Sequence, residues 1–540
     1  MRLIAGSVLV AAALAPAATI EQTSTGTKPA PALVESFDGL GVGFEGPQGT
    51  AALRNPSDNS LAVGPDHIVQ TVNSRMAIFT KKGKKFDASG RALYGPVNTN
   101  NVFKGFGGVC ESINNGDAVV RYDQLANRWL IVMPIFRRDP TRQSPPAGRS
   151  GEPAQLSVPG RPGQPGPAAP LVAPATSPPS PAQGQRGSPP PSSGPYSMCY
   201  AISAGADPFG PYYRYEFLRP LFPDYPRPAI WRDGYYVPTS TGDDVIQKHT
   251  CIVDRARMLK GEAASEQCFV VDGVNFLNNA DIDGTALPPA GAPNVMLAAG
   301  GTQLKHILED DGIVAWQVYV DWRDPSKSRL AGPTRIAVAP YQYLCGGQLT
   351  NCVPQPGIER RLDAQGDKIM ARAVYRSWSR GESVVAVHSV NAASGGGVRW
   401  YELRIDRNRA VTLYQQGTYA PGGFYRWMAS PAMDRFGNIG IGYSFGGTPH
   451  FAGQRFAGRL AGDPPGRLTL DEAILAEGAG AQDAMRWEDY TQTAMDPSDD
   501  CTIWYVGDYL KRGATAYSTR IGAFRLTSAC RGDGASAVRQ

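Results

Sequence analysis

Beyond its first twenty residues the chain has no apolar run long enough to cross a bilayer as a helix, so no membrane span is expected in the mature protein. It also lacks a Lys/Arg block of the kind nucleic-acid binders carry. The 53 basic residues are scattered among 48 acidic ones, for a net charge of +5 and a pI near 8.7, and the basic footprint of a nucleic-acid binder is missing. No CxxC pair occurs and there are only 5 histidines, which argues against a Cys/His zinc site. Helix signals are sparse. The clearest is the stretch from Asp254 to Gly261, with an Asp to cap it and a Gly to stop it.

What the chain has in quantity is turn chemistry. With 62 Gly and 46 Pro among 540 residues, and charged residues at only 19%, the composition suits many short strands joined by turns. The first residues, MRLIAGSVLVAAALAPAATI, place one Arg before an apolar run and a small-residue site at Ala15-Pro16-Ala17, the pattern of a cleaved secretory signal over residues 1–18. A secreted or periplasmic protein is therefore expected. The 8 cysteines suit such an oxidising compartment. Their connectivity is not fixed by sequence, but nearness along the chain favours Cys345–Cys352 and Cys251–Cys268, leaving Cys110–Cys199 and Cys501–Cys530.

Residues 139–195 are Pro-, Gly-, Ser- and Ala-rich with almost no aromatics, too little apolar surface to form a core. RWLIVMPIF before this stretch and YSMCYAISA after it both read as strands. The segment is thus expected to be a disordered insertion in the loop of one hairpin, a position where chain length costs little.

Elsewhere one unit recurs: a short apolar strand, a turn holding Asp or Gly, then a second apolar strand. SLAVGPDHIVQTV, AVVRYDQLANRWLIV, PAIWRDGYYVPT, PAMDRFGNIGIGYS and TAMDPSDDCTIWYV are copies. The spacing of about 60 residues predicts an all-β fold, a single β-propeller of about seven four-stranded blades. It would span residues 51–530, after an N-terminal extension over 19–50 and before a tail over 531–540. In DPSDDCTIW, Asp496, Asp499 and Asp500 fall in the turn slot and are expected to set turn geometry.

Several short motifs do not hold up in context. GYSFG, from Gly442 to Gly446, has the form of a nucleophile elbow, but it ends a strand and runs into a loop. GVGFEG, from Gly41 to Gly46, is followed by a Pro and no helix, so a dinucleotide site is excluded. ADIDG, from Ala280 to Gly284, reads as an Asx turn before a calcium loop.

The better candidate comes from aligning the repeats. Asp58, Asp117, Asp224, Asp367 and Asp489 each open the first strand of a repeat. In a propeller those strands line the channel, so the acids should meet at one mouth. Arg426-Trp427 and Arg486-Trp487 precede equivalent strands, and Tyr225 and Tyr490 follow two of the acids. Such a ring suits a polar polymer: aromatic faces stack on sugars and an Arg fork takes carboxylates. Asp489, Tyr490 and Glu488 are the candidate catalytic groups. Arg426, Trp427, Arg486, Trp487, Asp117, Asp224, Tyr225 and Asp367 are the candidate ligand contacts. The competing role for these acids is structural, capping amides and clamping blades. No cofactor is required, though calcium is the ion an Asp ring could take.

DPSDDCTIW resembles the Asp-box of sialidases and related BNR-repeat propellers, with Asp496 and Trp504 in the matching roles and the leading Ser and the Gly replaced. AVGPDHIVQTVN, YDQLANRWL, RWYELR, YQQGTYAP and RWEDYTQTAMDPSDDCTIWY resemble a group of secreted bacterial propeller proteins across most of residues 50–530. The sialidase likeness implies three Arg, for which Arg376, Arg426 and Arg486 are available, and a Tyr–Glu pair from Tyr490 with Glu488 or Glu402. The expected function is binding, with hydrolysis as an option, of an extracellular glycan or other polar polymer at the mouth, by a monomer. An enzyme would be a sialidase-like glycoside hydrolase or a polysaccharide lyase. The alternative is a non-catalytic scaffold that meets a protein surface.

Overall fold

The structure, a computed structural model, describes residues 20–50, 52–143, 153–154, 193–239, 247–303, 308–347, 351–378 and 381–531. The predicted signal segment, most of the Pro-rich insertion and the C-terminal tail lie outside them.

The described chain is all-β, with only short helical turns such as Gly108–Ser112 and Arg255–Met258. The second of these is the predicted helix, shorter than expected, and Asp254 caps it by accepting from the Arg257 amide. Strands follow one another in antiparallel groups of four. The groups start at Ser60–Val63, Val119–Asp123, Ala229–Ile230, Asn278–Ile282, Ala373–Trp378, Tyr425–Met433 and Gln492–Met495. The fourth and fifth groups join into one curled nine-stranded sheet, because Ala280–Ile282 pairs in parallel with Ala373–Tyr375 and Glu21–Gln22 adds at the far edge. Arg128–Ile135 and Tyr196–Ser203 pair as the hairpin expected to carry the insertion.

The last group has only three strands of its own. Its fourth is Ala32–Gly41, which lies antiparallel to Ser518–Arg525. The segment expected to be an extension is thus part of the fold. It covers a sheet edge that would otherwise expose unpaired amides and carbonyls.

First strands of neighbouring groups pack together. Ser60–Val63 lies against both Val119–Asp123 and Gln492–Met495, and Tyr425–Met433 lies against both Ala373–Trp378 and Gln492–Met495. Ala229–Ile230 packs on Asn278–Ile282, and the Arg121 guanidinium reaches the Pro228 carbonyl at 3.0 Å. Between them, Arg372 pairs with Asp281 at 2.6 Å and with Asp283 at 2.5 Å, while Arg121 stands 3.4 Å from Asp281. ADIDG therefore serves two guanidinium groups. A cavity of about 20 Å³ beside them has room for a single water.

The turn slot works as the sequence suggests. Asp434 accepts from the Phe436 and Asn438 amides at 2.9 and 3.0 Å, and Asp499 from the Cys501 and Thr502 amides at 3.0 and 2.8 Å. Asp496 takes the Trp504 indole at 3.0 Å and the Lys81 ammonium at 2.9 Å. Disulfides join Cys251–Cys268 and Cys345–Cys352, the pairs that chain proximity favoured, and Cys110–Cys199 and Cys501–Cys530, the pairs that were left. Among the described residues no helix is long and apolar enough to cross a membrane.

Candidate functional site

The acids that open first strands sit at a sharp backbone bend. Asp58, Asp117, Tyr225 and Asp489 all adopt left-handed conformations, with φ of 47°, 54°, 53° and 72°. Asp enters that region more easily than most residues, whereas Tyr does so at a cost.

The carboxyls meet one another. Asp58, Asp117, Asp224 and Asp489 lie close enough for the charge of one to act on the next. Asn73 donates to Asp58, and the Tyr490 hydroxyl donates to Asp117 at 3.2 Å. The Tyr225 hydroxyl donates to the Asp489 carbonyl at 2.6 Å, and the Tyr225 and Tyr490 rings stack with centroids 4.2 Å apart. Two cations support this stack from inside. The Arg227 guanidinium lies 4.2 Å from the Tyr225 ring centre, and Lys368 lies 4.1 Å from that of Phe276 while pairing with Asp367 at 2.9 Å. Arg486 forms the lid, donating to Asp363 at 2.7 Å and to Asp489 at 2.5 Å.

Burial raises the Asp58 carboxyl well above the usual range, and the charges of Asp117 and Asp489 raise it further. Asp117 is raised in the same way, by burial and then by Asp224 and Asp489. Burial also raises Asp489, against the pull of Arg486 and Lys368. Asp363 is pushed to about 7, mainly by burial. Burial works against the charge on Arg486, but Asp489 and Asp363 hold that charge in place.

Access is uneven. Asp58 is 1% exposed, Asp489 8% and Asp117 9%, whereas the Arg486 side chain is 39% exposed. Asp224 is half-buried. Arg486 and Asp224 are thus the more exposed members of the cluster, and Asp58, Asp117 and Asp489 are the buried ones. Such a surface can donate to and accept from hydroxyl groups.

Other expected contacts lie elsewhere. Glu488 is fully buried and accepts from Ser444 at 3.0 Å, Gln454 at 2.8 Å and the Asp508 amide at 2.7 Å. Its neighbour Asp489 takes the outward position, and adjacent residues do not share a direction. Arg426 is 2% exposed and clamped to Glu472 at 2.7 Å. Trp427 and Trp487 are core residues with ring centroids 6.2 Å apart. Arg376 binds Asp500 at 2.7 Å. The three Arg proposed for a sialidase-like set are each committed to different carboxylates, and Glu402 is buried against Ser383 and Gln415. Ser444 of GYSFG is buried within a strand and accepts from the Trp487 indole.

Arg227, Lys368 and Asp363 were not anticipated. The first two lie within three residues of Asp224 and Asp367, so a search for cations beside the ring acids would have found them. Among the described residues, the groups close enough to hold a metal are Cys251, Glu266 and Cys268, and Asp434, Cys501 and Cys530, and all four of these cysteines are in disulfides. The ring acids form no such group.

The chain matches no protein-family profile and no curated protein sequence. Among solved structures it is similar to a protein of unknown function from Dyadobacter fermentans, at TM-score 0.37 and 10% identity over 92% of this chain and 100% of that one. It is similar to the polysaccharide lyase Uly1 at TM-score 0.32 and 9% identity, over 93% of this chain and 100% of that one. Drosophila Semaphorin 1b gives TM-score 0.35 and 7% identity, over 93% of this chain and 88% of that one. Likenesses this remote decide neither activity nor substrate.

Proposed function

We propose that the protein is a secreted, monomeric seven-bladed β-propeller that binds a hydroxyl-rich extracellular polymer, a glycan, at the mouth built by Arg486 and the ring of acids. The seven groups of four strands, the packing between consecutive first strands and the closure of the last group by Ala32–Gly41 support the propeller reading. The observation that carries the binding reading is Arg486: a half-exposed guanidinium held in place by Asp363 and Asp489, beside carboxyls that burial raises well above the usual range. A fork of that kind is already oriented, and its remaining donor capacity faces solvent.

Binding is favoured over hydrolysis or elimination. A glycosidic acid/base pair must reach the scissile bond, and Asp58, Asp117 and Asp489 are all more than nine-tenths buried. The purified protein should therefore retain one or more polymers of a polysaccharide panel without releasing new reducing or unsaturated ends. Release of such ends would replace the binding reading with the enzymatic one. Retention of none of the polymers would favour the scaffold.

A further inference from the structure

A second surface lies at the opposite end of the fifth group from the mouth. Trp378 ends the strand Ala373–Trp378, Arg404 lies near the end of Gly396–Ile405, and Tyr414 lies near the start of Val411–Tyr419. The Arg404 guanidinium lies between the two rings, 4.3 Å from the centre of Tyr414 and 5.6 Å from that of Trp378. Tyr414 is the most exposed large apolar side chain among the described residues, at 56%. Arg404 is a third exposed and forms an ion pair with Glu402 at 2.6 Å through one terminal nitrogen, while its Nε is buried without a partner.

We propose that this row of ring, guanidinium and ring binds an anionic polysaccharide, with sugar faces on Tyr414 and Trp378 and a uronate or sulfate group on Arg404. Three features select that occupant. An exposed ring, Tyr414, with a half-buried one, Trp378, near the same guanidinium suits sugar rings, which present C–H faces for stacking. The guanidinium plane is fixed by cation–π contact on both sides, so little rotamer entropy remains to be lost when its fork takes an oxyanion. The one carboxylate beside it, Glu402, is 2% exposed and also held by Ser383 and Gln415, so it presents little negative charge to solvent. This surface is separate from the mouth and does not depend on the reading proposed for it.

Calorimetric titration with polygalacturonate, dextran sulfate and neutral dextran tests the proposal. Either or both anionic polymers should bind, which tells uronate from sulfate ester, and dextran should not. Tyr414→Ala and Arg404→Gln should each weaken binding at least tenfold, Arg404→Lys should restore only part of it, and Asp499→Asn, in the turn of the last group, should leave it unchanged. The proposal is overturned if no anionic polymer binds, if dextran binds equally well, or if Tyr414→Ala binds as the parent does. The last result would assign retention to the general net positive charge.

Discussion

Asp recurs in two slots of the repeat, and its physical state differs between them. In the turn slot, Asp123, Asp434 and Asp499 are surrounded by donors. Asp123 alone collects two backbone amides, the Tyr235 hydroxyl at 2.8 Å and the Arg255 guanidinium at 2.7 Å. In the slot that opens a first strand, Asp58 and Asp117 feel the charges of other carboxyls, and burial together with those charges raises both well above the usual carboxylate range. The turn carboxylates are anchors made by local sequence, each accepting from backbone amides two to four residues on. The mouth carboxyls are an acid array made by convergence of distant strands. Residue type alone does not separate the two roles. The direction from which hydrogen-bond donors arrive does.

The contrast can be broken most forcefully at Asp123. Asp123→Ala leaves Arg255 and the Tyr235 hydroxyl without their partner in a fully buried place, and should cost about 3–5 kcal/mol in chemical denaturation. Asp58→Asn keeps an oxygen acceptor for Asn73 and removes a carboxyl that burial raises well above the usual range, and should cost no more than about 1 kcal/mol at pH 7. Equal costs would erase the distinction between the slots.

Acidity separates them next. Asp363 at about 7 and Asp508 at about 8 both lie above the unfolded carboxylate value, mainly through burial, and Asp58, Asp117 and Glu488 are raised by burial in the same direction. A raised acid keeps its proton in the fold after the unfolded chain has lost it. Stability from this array is therefore present near pH 4 and is lost as pH rises through 7 and 8. The loss is about 1.4 kcal/mol per pH unit for each group that still holds its proton. Melting temperature should fall between pH 5 and pH 9, and Asp508→Asn should make the fall shallower. A melting temperature that rises with pH over that range would contradict these raised acids.

The smallest effect is expected at the turn of the last group. Asp499→Asn keeps an acceptor for the Cys501 and Thr502 amides and loses charge toward Arg525, 3.3 Å away and partly exposed. About 1 kcal/mol or less should be lost, and polymer retention should not change. Loss of retention would place the ligand on the turn face.

Much of this was legible in the chain because both slots repeat. Apolar strands flanking an Asp turn recur often enough to reveal the groups, and the acids before Val119, Gln492 and their counterparts mark one end of the first strands. The strand Ala32–Gly41 left no such mark, because its partner Ser518–Arg525 lies at the other end of the chain. Arg426 and Arg486 look alike in sequence, each followed by Trp, but Glu472 captures the first and draws it inside. Only the fold shows that Asp363, in the long connection before Ala373, reaches the mouth.

The central claim is that Arg486 and Asp489 hold a ligand at the mouth. The direct measurement titrates a retained polymer into the parent protein, Arg486→Ala, Asp489→Asn and Asp499→Asn, and records thermal melting of the same samples. Arg486→Ala and Asp489→Asn should weaken binding at least tenfold while still melting cooperatively, and Asp499→Asn should bind as the parent does. If both mouth variants bind normally, or lose binding only in proportion to lost stability, then Arg486 and Asp489 clamp neighbouring strands and the ligand lies elsewhere.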